Sequence, residues 1–399
     1  MEIIEFIKKY KILISISLIL CIILSGVLIT VSIKAKNEEI GNVLSKAKEL
    51  SNGYFYKEAL DLIENSGYKD KKLEGLKEEI LNSKSKLCEY DGQVYHVFFH
   101  SLIVYPELAF DNDYKHEGYD MWMTTVSEFK NMLPELYERD FILYSLKDIK
   151  AGEKIIIPEG KKPLIISIDD VNYYDYMDPD GFCDKLVVGD DGYILTNVKT
   201  PDGKVENTKD GDVMPILDEF VKEHPDFSYR GAKGIVAVTG YEGAFGYNFI
   251  KAEGEEKEKL TKEATKVATA LKNTGWLIAC HSYTHNDYFK DGNVGMDDLS
   301  YDTNRFKERI FDVVLQPDIY ISPFGYHLGE GDERLKYLKN MGYDYFCPVS
   351  NAMRTIKTED NVIISERFNL DRFNMRTKKE FINKTFFDVD KVYYKWNEN

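Results

Sequence analysis

From residue 94 onward, short apolar runs recur along the chain and end in polar residues. They read VYHVFFHSLIV (94–104), LIISI (164–168), GIVAV (234–238), WLIAC (276–280), IYIS (319–322), YDYFCPV (343–349) and VIIS (362–365). Between several of them lie apolar positions at helical spacing, over 129–138, 260–272 and 304–315. Apolar strands alternating with amphipathic helices predict a parallel α/β domain whose sheet is covered on both faces. Residues 175–230 interrupt this rhythm with Asp-, Gly- and Lys-rich text, and its DDG and PDG turns predict an inserted hairpin.

The first 90 residues follow other rules. Residues 12–33, ILISISLILCIILSGVLITVSI, carry no charge over 22 positions; about 20 suffice for a helix to cross a bilayer core. Lys8, Lys9 and Lys11 precede the run, which favours a cytoplasmic N-terminus. No small-residue cleavage pattern follows, and LILC lacks the small residue expected before a lipidated cysteine. An uncleaved single-pass anchor is therefore expected, with the remainder outside the cytoplasm at the cell membrane. Residues 34–90 then show apolar positions at helical spacing (Ile40, Val43, Leu44, Ala47; Ala59, Leu60, Leu62, Ile63; Leu73, Leu76, Ile80), punctuated by Gly53 and Gly67. Two or three short helices forming a stalk are predicted. The expected division is a cytoplasmic tail (1–11), the anchor (12–33), the stalk (34–90), the α/β domain (91–380) and a C-terminal tail (381–399).

Composition narrows the partners. The 399 residues are 43% apolar and 13% aromatic, enough for a sizeable core. Against 52 basic residues stand 68 acidic ones, a net charge of -16. That balance argues against nucleic acid or anionic lipid as the main partner, since both reward a basic face. Cys21, Cys88, Cys183, Cys280 and Cys347 form no CxxC pair, so neither a zinc finger nor a disulfide framework is implied.

The chemistry sits where the runs end. LIISI delivers Asp169 and Asp170, WLIAC delivers HSYTH (281–285), and IYIS delivers PFGYH (323–327). Active sites of parallel α/β barrels collect at the C-terminal ends of strands. Two adjacent carboxylates repel each other, so they suit either a turn or a cation. His281 and His285 are four apart, so on a helical turn both rings point the same way. Two imidazoles and a carboxylate are a common set for a divalent transition metal. Tyr173, Tyr174, Tyr176, Tyr283 and Phe324 lie near these clusters; their rings fit either sugar stacking or core packing.

SIDD, HSYTH and SPFG, in this order at strand ends, are similar to the three leading motifs of the polysaccharide deacetylase (NodB homology, carbohydrate esterase family four) domain. HVFFHSLI with the helix after it also resembles the opening of many members. The likeness covers roughly 91–375. It implies a distorted (β/α) barrel and a metal-dependent hydrolase that removes N-acetyl groups from a cell-surface glycan such as peptidoglycan or an exopolysaccharide. On this resemblance Asp170, His281 and His285 would hold one divalent ion, zinc first, with cobalt, nickel or iron acceptable. Asp169 would be the general base, and the backbone N–H of Phe324 would help bind the oxyanion.

The sequence departs from that pattern in three places. Ile321 stands where many members have Arg before the third motif. CPVSNAMR replaces an Asp-x-x-Asp-Trp-like motif, and VIISERFNLDRF lacks the late His that serves as general acid. His327 is the substitute acid the sequence offers; Arg367, Arg372 or Asp371 are the substitutes for the Arg–Asp support. The gap also motivates two rival expectations. One is a catalytically idle glycan-binding or scaffold protein that keeps the metal; the other is a metal hydrolase acting on a different ester or amide.

Overall fold

A computed structural model describes residues 2–350 and 356–395. The chain divides into two compact units, Met1–Lys86 and Leu87–Asn399.

The first unit is helical. Helix α1 (Glu2–Asn52) runs without interruption for 51 residues and is followed by α2 (Tyr56–Asn65) and α3 (Lys71–Ser85). It is long and apolar enough to cross a membrane, and its apolar stretch is wholly unburied. Residues 37–52 thus extend this helix and do not form a separate short one. The stretch after Ile33 holds only Gly41 as a weak breaker, and one glycine costs a helix about 1 kcal/mol. Helix α1 stops at Asn52, where Gly53 is followed by Tyr54 in the left-handed region (φ 66°). Ile40 and Ala47 of α1 are buried together with Ala59 and Ile63 of α2 and Leu73 and Ile80 of α3. Asp70 caps α3 by accepting from Lys72 N at 2.8 Å.

The second unit is a distorted (β/α) barrel. Its strands are β1 (Tyr95–Phe99), β2 (Lys162–Ile168), β3 (Ile235–Val238), β4 (Leu277–Cys280), β5 (Ile319–Ile321), β6 (Tyr345–Cys347), β7 (Val362–Ile364) and β8 (Phe368–Asn369). Each pairs in parallel with the next from β1 to β7, and β8 pairs in parallel with β1. Strands β7 and β8 belong to one stretch of chain. Its first half lies on β6, its second half on β1, and a bridge from Val349 to Arg367 joins the two pairings. That stretch closes the sheet on itself. The strands are short and largely apolar because both faces are covered, with helices such as Val126–Glu138, Gly254–Asn273 and Met296–Arg309 outside.

The insertion is larger than a hairpin. Strands Cys183–Val188, Ile194–Lys199 and Val205–Thr208 form an antiparallel sheet, followed by a helix over Val213–Glu223. Its two turns fall on the DDG and PDG signals, with Gly192 and Gly203 at φ 81° and 84°. The third strand, VENT, alternates exposed and half-buried positions and has no apolar run to announce it. The segment from 381, which reads as a tail, instead folds into helices Lys379–Thr385 and Val389–Val392. Phe386 and Phe387 are fully buried, and the Phe386 ring lies 5.8 Å from that of Phe141. Two adjacent phenylalanines supply the apolar area that pins the segment. Residues 351–354 of CPVSNAMR and 396–399 of the predicted tail lie outside the described residues.

Candidate metal centre at the barrel mouth

At the exit of β2 the chain turns sharply. Asp169 N still donates to Phe99 O at 2.8 Å, but Asp170 adopts φ 57°. Left-handed backbone at a non-glycine residue is uncommon, and here it sends the two carboxylates in different directions.

The HSYTH segment after β4 is a loop, not a helical turn. Ser282 (φ 67°) and His285 (φ 47°) are both left-handed, which an α-helix cannot accommodate. Two side chains hold this shape. Ser282 Oγ accepts from His285 N at 2.9 Å. The buried Asp302, on the helix Met296–Arg309, accepts from Tyr283 N (2.7 Å), Thr284 N (2.8 Å) and Thr284 Oγ1 (2.7 Å). The rings still meet, with centroids 4.9 Å apart. The i,i+4 spacing brings them together by a different route from the helical one.

One ligand atom each from Asp170, His281 and His285 lie within 4.8 Å of one another. Ligands about 2.1 Å from a shared tetrahedral ion would be about 3.4 Å apart, so modest closure would seat one. The donor set fits as well. His281 Nδ1 lies 3.0 Å from Ile321 O, so a proton there leaves the Nε2 lone pair free. Burial pulls the His285 pKa below its ordinary value, against the opposing charge of Asp170, which keeps that imidazole neutral. Burial alone would raise the Asp170 carboxyl, but His285, His281 and His100 together bring it down to about 2. Asp170 Oδ1 also accepts from Tyr174 OH at 2.7 Å.

Asp169 faces a different partner. Arg367 Nη1 donates to its Oδ1 at 2.6 Å, while Oδ2 lies 3.9 Å from His281 Nε2. Arg367 is fully buried; it also donates to Cys347 O (3.2 Å) and Ser167 Oγ (3.3 Å), and its guanidinium lies 4.3 Å from the Phe98 ring centre. Behind it, Ser167 Oγ is 3.1 Å from His96 Nε2, and His96 Nδ1 is 2.7 Å from Ser365 Oγ. Of the three substitutes for the Arg–Asp support, Arg367 alone contacts Asp169. Arg372 pairs with Asp120 at 2.8 Å and with Glu128, and Asp371 caps the helix Arg372–Thr377.

Phe324 sits next to the triad in left-handed backbone (φ 55°), its ring centroid 4.4 Å from that of His285. His327 is exposed, and its Nε2 is engaged by Val349 O at 2.6 Å; no contact with the triad or with Asp169 is present among the described residues. Of the five aromatic residues near the motifs, Tyr173 and Tyr283 are buried, whereas Tyr176 and Phe324 are 54% and 45% exposed. Tyr174 is buried, with the rings of Tyr176 and Tyr241 stacked against it at 5.6 and 5.2 Å.

Two residues of the site carried no warning in the sequence, Asp302 and His100, and Tyr174, expected to stack or pack, also bonds Asp170. His100 follows β1 directly, as Asp169 follows β2, and its charge reaches Asp170. Its Nδ1 is 3.0 Å from Trp122 O. The run 94–104 hid it, because the strand ends at Phe99 while the apolar text continues past His100 to Val104.

No protein-family model matches this chain, and no curated protein does. Among solved structures it is similar to the Streptococcus pyogenes deacetylase PplD in complex with acetate, at 13% identity over 74% of this chain and 98% of that one, with a TM-score of 0.41. It is also similar to IcaB from Ammonifex degensii, at 10% identity over 72% of this chain and 96% of that one, with a TM-score of 0.40. A third, the BpsB deacetylase domain from Bordetella bronchiseptica, shows 10% identity over 71% of this chain and 99% of that one, with a TM-score of 0.34.

Proposed function

We propose that the chain is a metal-dependent hydrolase that removes N-acetyl groups from a cell-surface polysaccharide. The observation that carries this reading is the convergence of Asp170, His281 and His285 beside a carboxylate, Asp169, that a buried arginine holds in place. Asp170, His281 and His285 are the ligands of the ion, zinc first among zinc, cobalt, nickel and iron. When bound there, a divalent ion supplies Lewis acidity, lowering the pKa of a water towards neutrality and polarising the amide carbonyl.

The chain's own residues do the rest. Asp169 Oδ2, the oxygen that Arg367 leaves free, takes the proton from the attacking water. Arg367 aims that oxygen by holding Oδ1. The backbone N–H of Phe324 donates to the oxyanion as charge develops on the former carbonyl oxygen. His100, at the exit of the neighbouring strand, delivers a proton to the departing amine nitrogen. We assign that role to His100, which follows the strand paired with the last one, in place of His327, which makes no hydrogen bond to the triad or to Asp169 among the described residues. The helix spanning residues 12–33 would be the single-pass membrane anchor, with a cytoplasmic N-terminus and the barrel facing the cell-surface glycan.

The test uses the full chain in detergent, stripped of metal and reloaded with each of the four ions. Acetate release from N-acetylglucosamine polymers should appear with metal, and alanine at His281 or His285 should abolish both bound metal and release. A metal-loaded chain that releases no acetate from any such polymer overturns the reading. Sugar binding without turnover would instead establish the scaffold alternative.

A further inference from the structure

Among the described residues, a buried polar atom at the mouth of the barrel has no hydrogen-bond partner. Asn369 closes strand β8 at its C-terminal end, is 6% exposed, and has no hydrogen bond to its Oδ1. Successive strand residues point to opposite faces. Phe368 packs outward on Phe381 and Phe386, so Arg367 and Asn369 share the inward face. Arg367 confirms the direction by reaching Asp169 and the Phe98 ring. Asn369 is registered against Phe98 of β1, two residues before His100, whose ring is 5.9 Å from that of Phe98. Asn369 therefore lies one step further towards the mouth than Arg367, on the side of His100. Arg367 Nη2 is likewise unpaired. Native folds leave few buried acceptors unpaired, so an unpaired oxygen facing the site calls for a partner.

We propose that Asn369 reads the acetamido group of the substrate: its Oδ1 accepts the amide N–H while the carbonyl end faces Asp170, His281 and His285. This rests on the deacetylase reading and deepens it, because it makes the site selective for amides. An ester presents no N–H, so it buries the same oxygen unpaired. A site built around a substrate N–H discriminates strongly against the analogue that lacks it.

The test is Asn369→Leu, which keeps the branching and heavy-atom count of asparagine, in the metal-loaded full chain. The quantity compared is kcat/KM for an N-acetylglucosamine oligomer divided by kcat/KM for 4-nitrophenyl acetate. The variant should lower this ratio by about tenfold. Loss of fold or of metal lowers both rates together, so in a variant that keeps the wild-type melting temperature and bound metal an unchanged ratio overturns the proposal. A second arm is independent of turnover. Calorimetric titration with the N-acetylglucosamine tetramer should show affinity weakened by about tenfold in the variant. Equal affinities, or no binding to the wild type, overturn the proposal. If the wild type hydrolyses neither substrate, the deacetylase reading fails, and the titration alone decides whether Asn369 reads the acetamido group.

Discussion

Replacing Arg367 by methionine probes the link between the barrel core and the site. The side chain is fully buried and Asp169 is 3% exposed, so deleting the guanidinium strands a carboxylate in a water-poor interior. Methionine is similar in length and keeps an apolar contact for the Phe98 ring, so the charge is the main thing lost. Breaking a buried ion pair from one side costs about 3–5 kcal/mol, a large share of the roughly 5–15 kcal/mol that holds a domain together. Urea unfolding of the metal-free chain, followed by the fluorescence of the buried Trp276, measures this loss directly. The double variant Asp169→Asn, Arg367→Met removes both charges and should recover most of it. A single variant within about 1 kcal/mol of the wild type would refute the reasoning. So would a double variant no more stable than the single one.

Tyr174→Phe removes the hydroxyl that donates to Asp170 while keeping the ring in its stack; metal affinity, read by competition with a chelator, should weaken about 10- to 100-fold. An unchanged dissociation constant would mean that the hydroxyl does not orient the ligand. His96 is pushed well below its usual pKa of 6.5, first by burial and then by Arg367. Below about pH 6.5 the unfolded chain therefore binds a proton that the folded chain refuses, and stability falls as pH falls, by up to about 1.4 kcal/mol per pH unit. His96→Asn should flatten the dependence as pH falls below about 6.5, and parallel curves for the two proteins would dismiss the assignment.

Much of the barrel was legible because each buried strand is a short apolar run and each run stops at a polar residue. The same rule pointed to Asp170, His281 and His285, which side-chain identity and strand ends could find without geometry. What stayed hidden depends on backbone conformation and on long-range partners. Nothing in HSYTH announces left-handed Ser282 and His285, so the helical reading of that spacing gave way to a loop pinned by Asp302. His100 was passed over because its apolar run continues past it, whereas the structure ends the strand at Phe99 and parallel closure sets that strand next to the last one. Arg367 could be nominated but not chosen over Arg372 and Asp371, since only the register of β8 tells which of them faces inward. The run of residues 37–52 into the apolar helix was also invisible to a search for separate short elements, because it turns on the absence of a breaker.

The stretch from 362 to 369 has two jobs at once: it fills the gap between the first and sixth strands, and it brings in the guanidinium that meets Asp169. A polypeptide still emerging from the ribosome can hold Asp170, His281 and His285 and yet lack a wall on one side and the cation that meets Asp169. The surroundings of the three side chains are therefore completed late in synthesis and in a single step. A truncation just before Val362 would keep most of the sequence and strand Asp169 without its buried counter-charge.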